Sequence, residues 1–382
     1  MRLDVMRVET VISKQIKRRY ILIDDNGEIV EPVLKFLKYR DNIGNARNTL
    51  RAYCYHLKLY FEFLNQINVN YLNIDIDQMA KFIGWLQTPE GVYNVSYLNI
   101  QESKRNNRTI NTIINTVLLF YDYLLRHDES QISILGNLKE KMSYSKRGYK
   151  DFLYHINKDK GFMANIIKLK VPKSKPKTLD KQQIQTILNN CTNVRDYFLL
   201  RLLWESSIRI GEALSLWIED FNISETKIEI KDRGELENYS EIKTVNSPRC
   251  IDVSCELMND FMNYIAEMHD DNVNTNFVFI KLTGINKYKP MEYQDVVSLF
   301  NRLKKKTKID VNPHMLRHSS LTELKRLGWE AEFLRIRAGH KHIQTTLQMY
   351  IHLSDDDLRK EWEEVEKNMK IKSNRSDTSE FE

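Results

Sequence analysis

Three short stretches of this chain carry side chains that together suit a phosphate under nucleophilic attack. In ESSIRIGEALSLWIEDF, Arg209 falls at the junction of two apolar helical stretches, with Glu212 three residues on. A buried or cleft-facing arginine needs an anion or a carboxylate partner. A plain structural Arg209–Glu212 pair would satisfy that need equally well. In NPHMLRHSS, His314 and Arg317 are three residues apart and share a helix face. His314 lies in the first turn, where backbone N–H groups and the helix dipole favour an anion. A capped helix with a surface histidine is the bland alternative, and HxxR alone is a weak signal. In RAGHKHIQTTLQMYIHL, His340 follows a glycine suited to ending a helix, and Tyr350 comes ten residues later. A tyrosine hydroxyl, with a pKa of about 10, is a poor nucleophile at neutral pH. It becomes useful where cations stabilise its phenolate and a neutral group takes its proton.

Five of the nine histidines fall between His314 and His352. Their spacing has no HExxH motif and no carboxylate-rich partner set, so no metal is called for. The cysteines, Cys54, Cys191, Cys250 and Cys255, form no CxxC pair, which argues against a zinc ribbon and a disulfide framework and fits a reducing, cytoplasmic setting. No apolar run reaches the roughly 18 residues of a membrane span, and the N-terminus has no apolar signal core. The 382 residues suggest two or three domains, with 42% hydrophobic and 29% charged residues, ordinary for a globular chain. The net charge of +6 is unevenly spread. Lys168, Lys170, Lys173, Lys175, Lys177 and Lys181 cluster, as do Lys104, Arg105 and Arg108, the run from Lys139 through Lys146 and Arg147 to Lys150, and Arg302–Lys308. Such clusters are what a polyanion-binding surface needs, and also what solvated helix faces carry.

These groups need a frame. YILIDDNGEIVE alternates apolar residues around Asp-Asn-Gly and predicts a hairpin over 20–31. Helices follow. NARNTLRAYCYHLKLYFEFLNQ places Leu50, Tyr53, Leu57, Tyr60, Phe61 and Leu64 on one stripe, with Asn48 as N-cap. IDQMAKFIGWLQ is a second helix. NRTINTIINTVLLFYDYLLRH is a third, with Ile110, Ile113, Ile114, Val117, Phe120, Tyr121 and Leu124 inward. KLKVPKSKPKTL, with two prolines and no periodicity, predicts an extended linker. Beyond it, KQQIQTILNN and VRDYFLLRLLWESS are helical, and Ile210, Ala213, Leu214 and Trp217 form the buried stripe after Arg209. KIEIK, YSEIKT and RCIDVS predict three short strands, with Asn246, Ser247 and Pro248 in the second turn. ELMNDFMNYIAEMH and QDVVSLFNRLKKKTK are helices. A last one starts at NPHMLRHSS, with Asn312 as N-cap and Pro313 in its first turn. The tail after Lys370 is too polar to fold alone.

Taken together, Arg209 within SIRIGEAL, His314 and Arg317 within HMLRH, His340 within AGH, and Tyr350 followed by His352 in MYIH resemble the tyrosine recombinase, or phage integrase, family. The family also uses a lysine in a turn between strands, which EIKTVNSPRCIDV supplies as Lys243, with Lys231 at the end of a neighbouring strand as the competing choice. The resemblance covers roughly residues 35 to 355, and the early hairpin followed by EPVLKFLKY looks most like transposon-borne members. It implies a mainly α fold with a small antiparallel sheet in the catalytic domain, arranged as a two-domain C-shaped clamp around DNA. The implied parts are an N-terminal segment (1–34), a helical core-binding domain (35–165), a basic linker (166–179), a catalytic domain (180–355), and a C-terminal helix and tail (356–382).

The chemistry it implies is cleavage and rejoining of DNA through a 3′-phosphotyrosine on Tyr350. Arg209, Arg317 and His340 would stabilise the phosphorane, Lys243 would act as general acid, His314 as proton acceptor, and Glu212 as an orienting partner. Lys170, Lys173, Lys175, Lys177, Arg105, Arg108, Lys146 and Arg147 would contact DNA, and no cofactor is needed. The implied partners are a double-stranded recombination site, three further copies in a synaptic tetramer formed from free monomers, and an accessory bending or directionality factor. The implied setting is the nucleoid of a bacterial or phage host. A type IB topoisomerase and a catalytically silent DNA-binding regulator of the same fold are the alternatives. Two departures stand out: Ser206-Ser207 where members often have Thr-Gly, and ten residues rather than nine between His340 and Tyr350. The extra residue turns a helix by about 100°, so either the intervening turn must absorb it or Tyr350 must be delivered from a mobile segment.

Overall fold

The computed structural model describes residues 6–12, 17–88, 105–127, 139–142, 162–165, 168–172, 177–242 and 246–350, with Arg359, Trp362, Glu363, Val365 and Glu366. For 139–142, 162–165 and 348–350 the description is of the backbone. Lys243, Lys173, Lys175, Lys146 and Arg147 lie outside the described residues, as does nearly all of the expected helix after Tyr350. The chain forms two compact units, Met1–Lys173 and Ser174–Glu382.

In the first unit, β1 (Arg7–Ile12) pairs antiparallel with β2 (Arg18–Ile23), with Val8 opposite Leu22. The hairpin partner of β2 is thus upstream, not downstream as the Asp-Asn-Gly signal suggests. The turn does form, with Gly27 N–H donating to Asp24 O, but it closes a single bridge, Ile23 to Ile29. The reason is Pro32, which stands in the first turn of α1 (Glu31–Asn42) and commits the chain to a helix at once. Next come α2 (Arg47–Ile67), α3 (Ile76–Gln87) and α4 (Asn107–Arg126). Asn48 is inside the first turn of α2; the N-cap is Ala46, with no side-chain cap. All seven apolar positions expected to face inward on α4 are buried. They meet a mostly aromatic core in which Tyr60 and Phe82 pack edge to face at 5.1 Å. Asn111 clasps Leu169, taking its N–H and donating to its carbonyl at 2.9 Å each, which holds the stretch after β4 on α4. The strands β3 (Lys139–Met142) and β4 (Phe162–Asn165) pair antiparallel.

The second unit is built on α6 (Val194–Ser206), which follows α5 (Lys181–Asn189). Phe198, Leu199, Leu202 and Leu203 are fully buried, and α6 packs on α8 (Cys255–Met268) and α10 (Pro313–Arg326). Between α6 and α8 lie α7 (Ile210–Leu214) and a three-stranded antiparallel sheet, β5 (Phe221–Asn222), β6 (Lys227–Ile230) and β7 (Arg249–Asp252). The sheet has the expected strand number but a different membership. Tyr239–Ile242 is not a strand, because Asn238 is buried and spends its amide on Leu214 O and Met291 O, bending the chain inward. The third strand is β5, with Phe221 opposite Ile228. After α9 (Tyr293–Thr307) and α10 come α11 (Ala331–Ala338) and α12 (Ile343–Tyr350). Leu334 and Ala338 of α11 bury against Leu321 of α10. No described helix is long and apolar enough to cross a membrane.

Candidate active site

The site is organised by the C-terminal end of α11. Gly339 ends this helix at φ +61°, a conformation that costs an L-residue about 1 kcal/mol or more. Three successive carbonyls point out of that end, and each accepts from a different arginine. Arg337 O takes Nε of Arg249 at 2.8 Å, Ala338 O takes Nη2 of Arg317 at 2.5 Å, and Gly339 O takes Nη2 of Arg209 at 3.1 Å. These are the orphan carbonyls every helix leaves, at the negative end of its dipole, so three cations suit them. A side chain on Gly339 would lie 2.8 Å from Nη1 of Arg249 and 3.2 Å from Asn246 O, so only glycine lets this cluster close.

Glu212 supplies the countercharge. Arg209 is the N-cap of α7, and its N–H and Nη1 reach the Glu212 carboxylate at 2.9 and 2.8 Å. Arg249 reaches the same carboxylate at 3.0 and 3.3 Å. Burial pushes the Glu212 carboxyl up, but Arg249 and then Arg209 outweigh it and hold it at about 2. One buried carboxylate therefore serves two guanidiniums, and the Arg209–Glu212 pair is part of a larger cluster rather than an isolated structural bridge.

Arg317, on α10, is 2% exposed. It donates through Nη1 to Ser207 O at 2.5 Å. Ser207 caps α6 in the left-handed region at φ +57°, the position where a glycine would be expected to relieve strain. Its hydroxyl bonds Ser320 on α10 at 2.5 Å. Arg317 Nη2 also contacts His340 Nε2 at 3.1 Å, and His340 Nδ1 lies 2.9 Å from Thr346 Oγ1. His340 is buried. Burial first, then Arg317, Arg209, His318 and Arg249, push its imidazole down to about 3.

The remaining positions differ in what they meet. Arg209 keeps a quarter of its side chain open. His314 is exposed, with its ring edge on that of His318 at 4.2 Å. His318 is pushed down to about 4 by burial, then by His314 and Arg317. His342 is exposed, an ordinary polar residue. Lys231 is held by Glu229 at 3.1 Å and Asp220 at 3.3 Å. Tyr350 closes α12, which starts after the two-residue turn Lys341–His342. Of the basic residues expected at DNA, Lys170 and Arg108 are exposed, Lys177 is exposed and 3.5 Å from Asp310, and Arg105 is turned partly inward onto Leu86 O. Sequence reasoning missed Arg249, Ser207, His318 and Thr346. Arg249 had a signal in principle, since a fully buried Glu212 asks for more than one cation.

Residues 177–357 match the model of the phage integrase family. Transposase A from transposon Tn554 of Staphylococcus aureus is 39% identical over 344 residues, covering 90% of this chain and 93% of that protein. The chain belongs to the phage integrase family, the tyrosine-type site-specific DNA recombinases. Tyrosine recombinase XerA of Pyrococcus horikoshii is 24% identical over 335 residues, covering 87% of this chain and 92% of the relative. In fold, the chain resembles the Tn1549 transposon integrase solved in complex with transposon right end DNA, at TM-score 0.59 and 18% identity, covering 88% and 99% of the two chains. It also resembles the XerH recombinase bound to its palindromic difH substrate, at TM-score 0.56 and 17% identity, covering 87% and 84%.

Proposed function

We propose that this recombinase moves a mobile element, cutting and rejoining double-stranded DNA at defined sites through Tyr350. The observation that carries the reading is the cluster of Arg209, Arg317, Arg249 and His340 on one helix end, two residues before the helix that bears Tyr350. Permanently charged, preorganised donors are what a phosphorane with extra negative charge requires. The likeness to transposase A of Tn554 over nearly the full length supports transposition as the setting.

The Tyr350 oxygen attacks phosphorus, the bond to the 5′ oxygen breaks, and a 3′-phosphotyrosine remains. Its ester keeps the energy for religation, so no nucleotide is consumed. Arg209, partly open, meets the phosphate oxygens first, and the deeper Arg317 adds its charge from behind. Burial, more than the arginines, holds His340 neutral; an arriving phosphate offsets the added repulsion of Arg317 and Arg209, which raises the proton affinity of Nε2 toward donation. His314 takes the tyrosine proton. Lys243 protonates the leaving oxygen; Lys231, tied to two carboxylates, is the poorer donor. The duplex is held by phosphate contacts from Lys170, Lys173, Lys175, Lys177, Arg105, Arg108, Lys146 and Arg147, with an affinity that falls with salt. The acting form is a synapsed tetramer on nucleoid DNA, assembled from monomers and served by an accessory factor.

The test uses nicked duplexes made from the ends of the element that carries this reading frame. Wild-type protein should form a covalent adduct and Tyr350→Phe none; an adduct with the phenylalanine variant sinks the proposal. On a 5′-thio substrate, which needs little proton donation, Lys243→Ala should be rescued and Lys231→Ala unaffected.

A further inference from the structure

Two neighbouring threonines, Thr345 and Thr346, stand in the segment between His340 and Tyr350, and they differ in kind. Thr345 is exposed, whereas Thr346 is fully buried with its hydroxyl 2.9 Å from His340 Nδ1. The other face of the imidazole decides what that contact is. Nη2 of Arg317 sits 3.1 Å from Nε2, and a guanidinium has donors only. Nε2 must therefore offer its lone pair. A neutral ring has one proton, which then resides on Nδ1 and is donated to Thr346 Oγ1. Burial and the surrounding cations keep the ring neutral at ordinary pH. Thr346 is four residues before Tyr350 in the same helix, so the two share a face one turn apart.

We propose that Thr346 is a positioning residue, which fixes His340 in the Nδ1–H form and ties the tyrosine-bearing helix to the guanidinium cluster. Without its hydroxyl, the buried Nδ1–H has no acceptor. The ring can escape only by moving its proton to Nε2, where it would face the donors of Arg317. Either outcome loosens the contact between α12 and the cations. The proposal deepens the recombinase reading, since its kinetic consequence rests on Tyr350 as nucleophile.

The experiment compares Thr346→Val, which keeps the shape and removes the hydroxyl, with Thr346→Ser, which keeps the hydroxyl, and with Thr345→Val as control. On full-length, DNA-free protein labelled with 15N-histidine, the His340 nitrogens should report Nδ1–H in wild type, Thr346→Ser and Thr345→Val, and an altered tautomer in Thr346→Val. In single-turnover adduct formation on the nicked duplex, Thr346→Val should be slower by about tenfold or more, the scale of one lost hydrogen bond at a charged site. Thr346→Ser should stay within about threefold of wild type, and duplex affinity should be unchanged. A wild-type spectrum with the proton on Nε2 overturns the proposal, and this result stands even if Thr346→Val does not fold. Wild-type rate and tautomer in Thr346→Val overturn it too. Failure of wild type to form any adduct would sink the reading of Tyr350 instead, while the spectra would still decide the role of Thr346 at His340.

Discussion

Replacing Glu212 by glutamine keeps the shape of the side chain and removes the charge that two arginines share. The carboxyl is lowered from an ordinary 4.5 to about 2, which corresponds to about 3 kcal/mol at roughly 1.4 kcal/mol per tenfold change in proton affinity. Removing one partner of a buried pair costs a similar 3–5 kcal/mol or so, and Arg249 is buried enough, at 6% exposure, for that range to apply. Glu212→Gln should therefore destabilise the second unit by about 3 kcal/mol at pH 7. The sign with pH follows from a folded pKa below the unfolded one. The stabilisation is complete above about 4.5 and is lost as pH falls toward 2, so the gap between wild type and variant narrows with acid. By pH 3.5 about 1.4 kcal/mol of it should be gone. Urea unfolding of the full-length chain, read by hydrogen exchange in peptides covering 207–216 and 246–252, isolates this unit from the helical one. A loss under about 1 kcal/mol, or a gap that does not change between pH 7 and 3.5, would refute a carboxylate clamped between Arg209 and Arg249.

Gly339→Ala should lower the melting temperature of the second unit and depress adduct yield, because its Cβ would meet Arg249 at 2.8 Å in a left-handed backbone; a wild-type yield would contradict the crowding. Ser207→Gly made in a Ser320→Ala background, where the hydroxyl pair is already gone, should raise stability by about 1 kcal/mol in urea by relieving φ +57°. In the first unit, Tyr121 donates to Tyr71 O at 2.7 Å and pairs with the buried Tyr60 hydroxyl. Tyr121→Phe should cost about 1–3 kcal/mol by thermal unfolding, because the Tyr71 carbonyl loses its donor and the buried Tyr60 hydroxyl its acceptor.

What could be read from the sequence follows from how local each signal was. The stripe on α4 was legible because helical spacing alone decides which side is apolar, and all seven residues are buried. The N-cap of α10 was legible because Asn312 and the backbone it caps are adjacent, its side chain accepting from Met315 N–H at 3.0 Å. The hairpin partner of β2 was not, since an Asp-Asn-Gly turn says nothing about Pro32 five residues on. The sheet misled for the same reason: the role of Asn238 depends on carbonyls 24 and 53 residues away. At the site, residue types and order pointed to Arg209, His314, Arg317, His340 and Tyr350, but the organising feature, three carbonyls in a row, belongs to the backbone, and its one trace in residue identity is Gly339, which marks a helix end without naming the cations that meet it. Thr345 and Thr346 are indistinguishable as letters; only the phase of α12 separates them.

Three cations fastened to three consecutive peptide units form one mechanical object. If the last turn of α11 frays, Arg209, Arg317 and Arg249 each lose one bond at the same moment, while Glu212 still holds Arg209 and Arg249 and Ser207 O still holds Arg317. Single removals of these arginines should then not add up in double-mutant cycles of stability, because all three share one stretch of backbone.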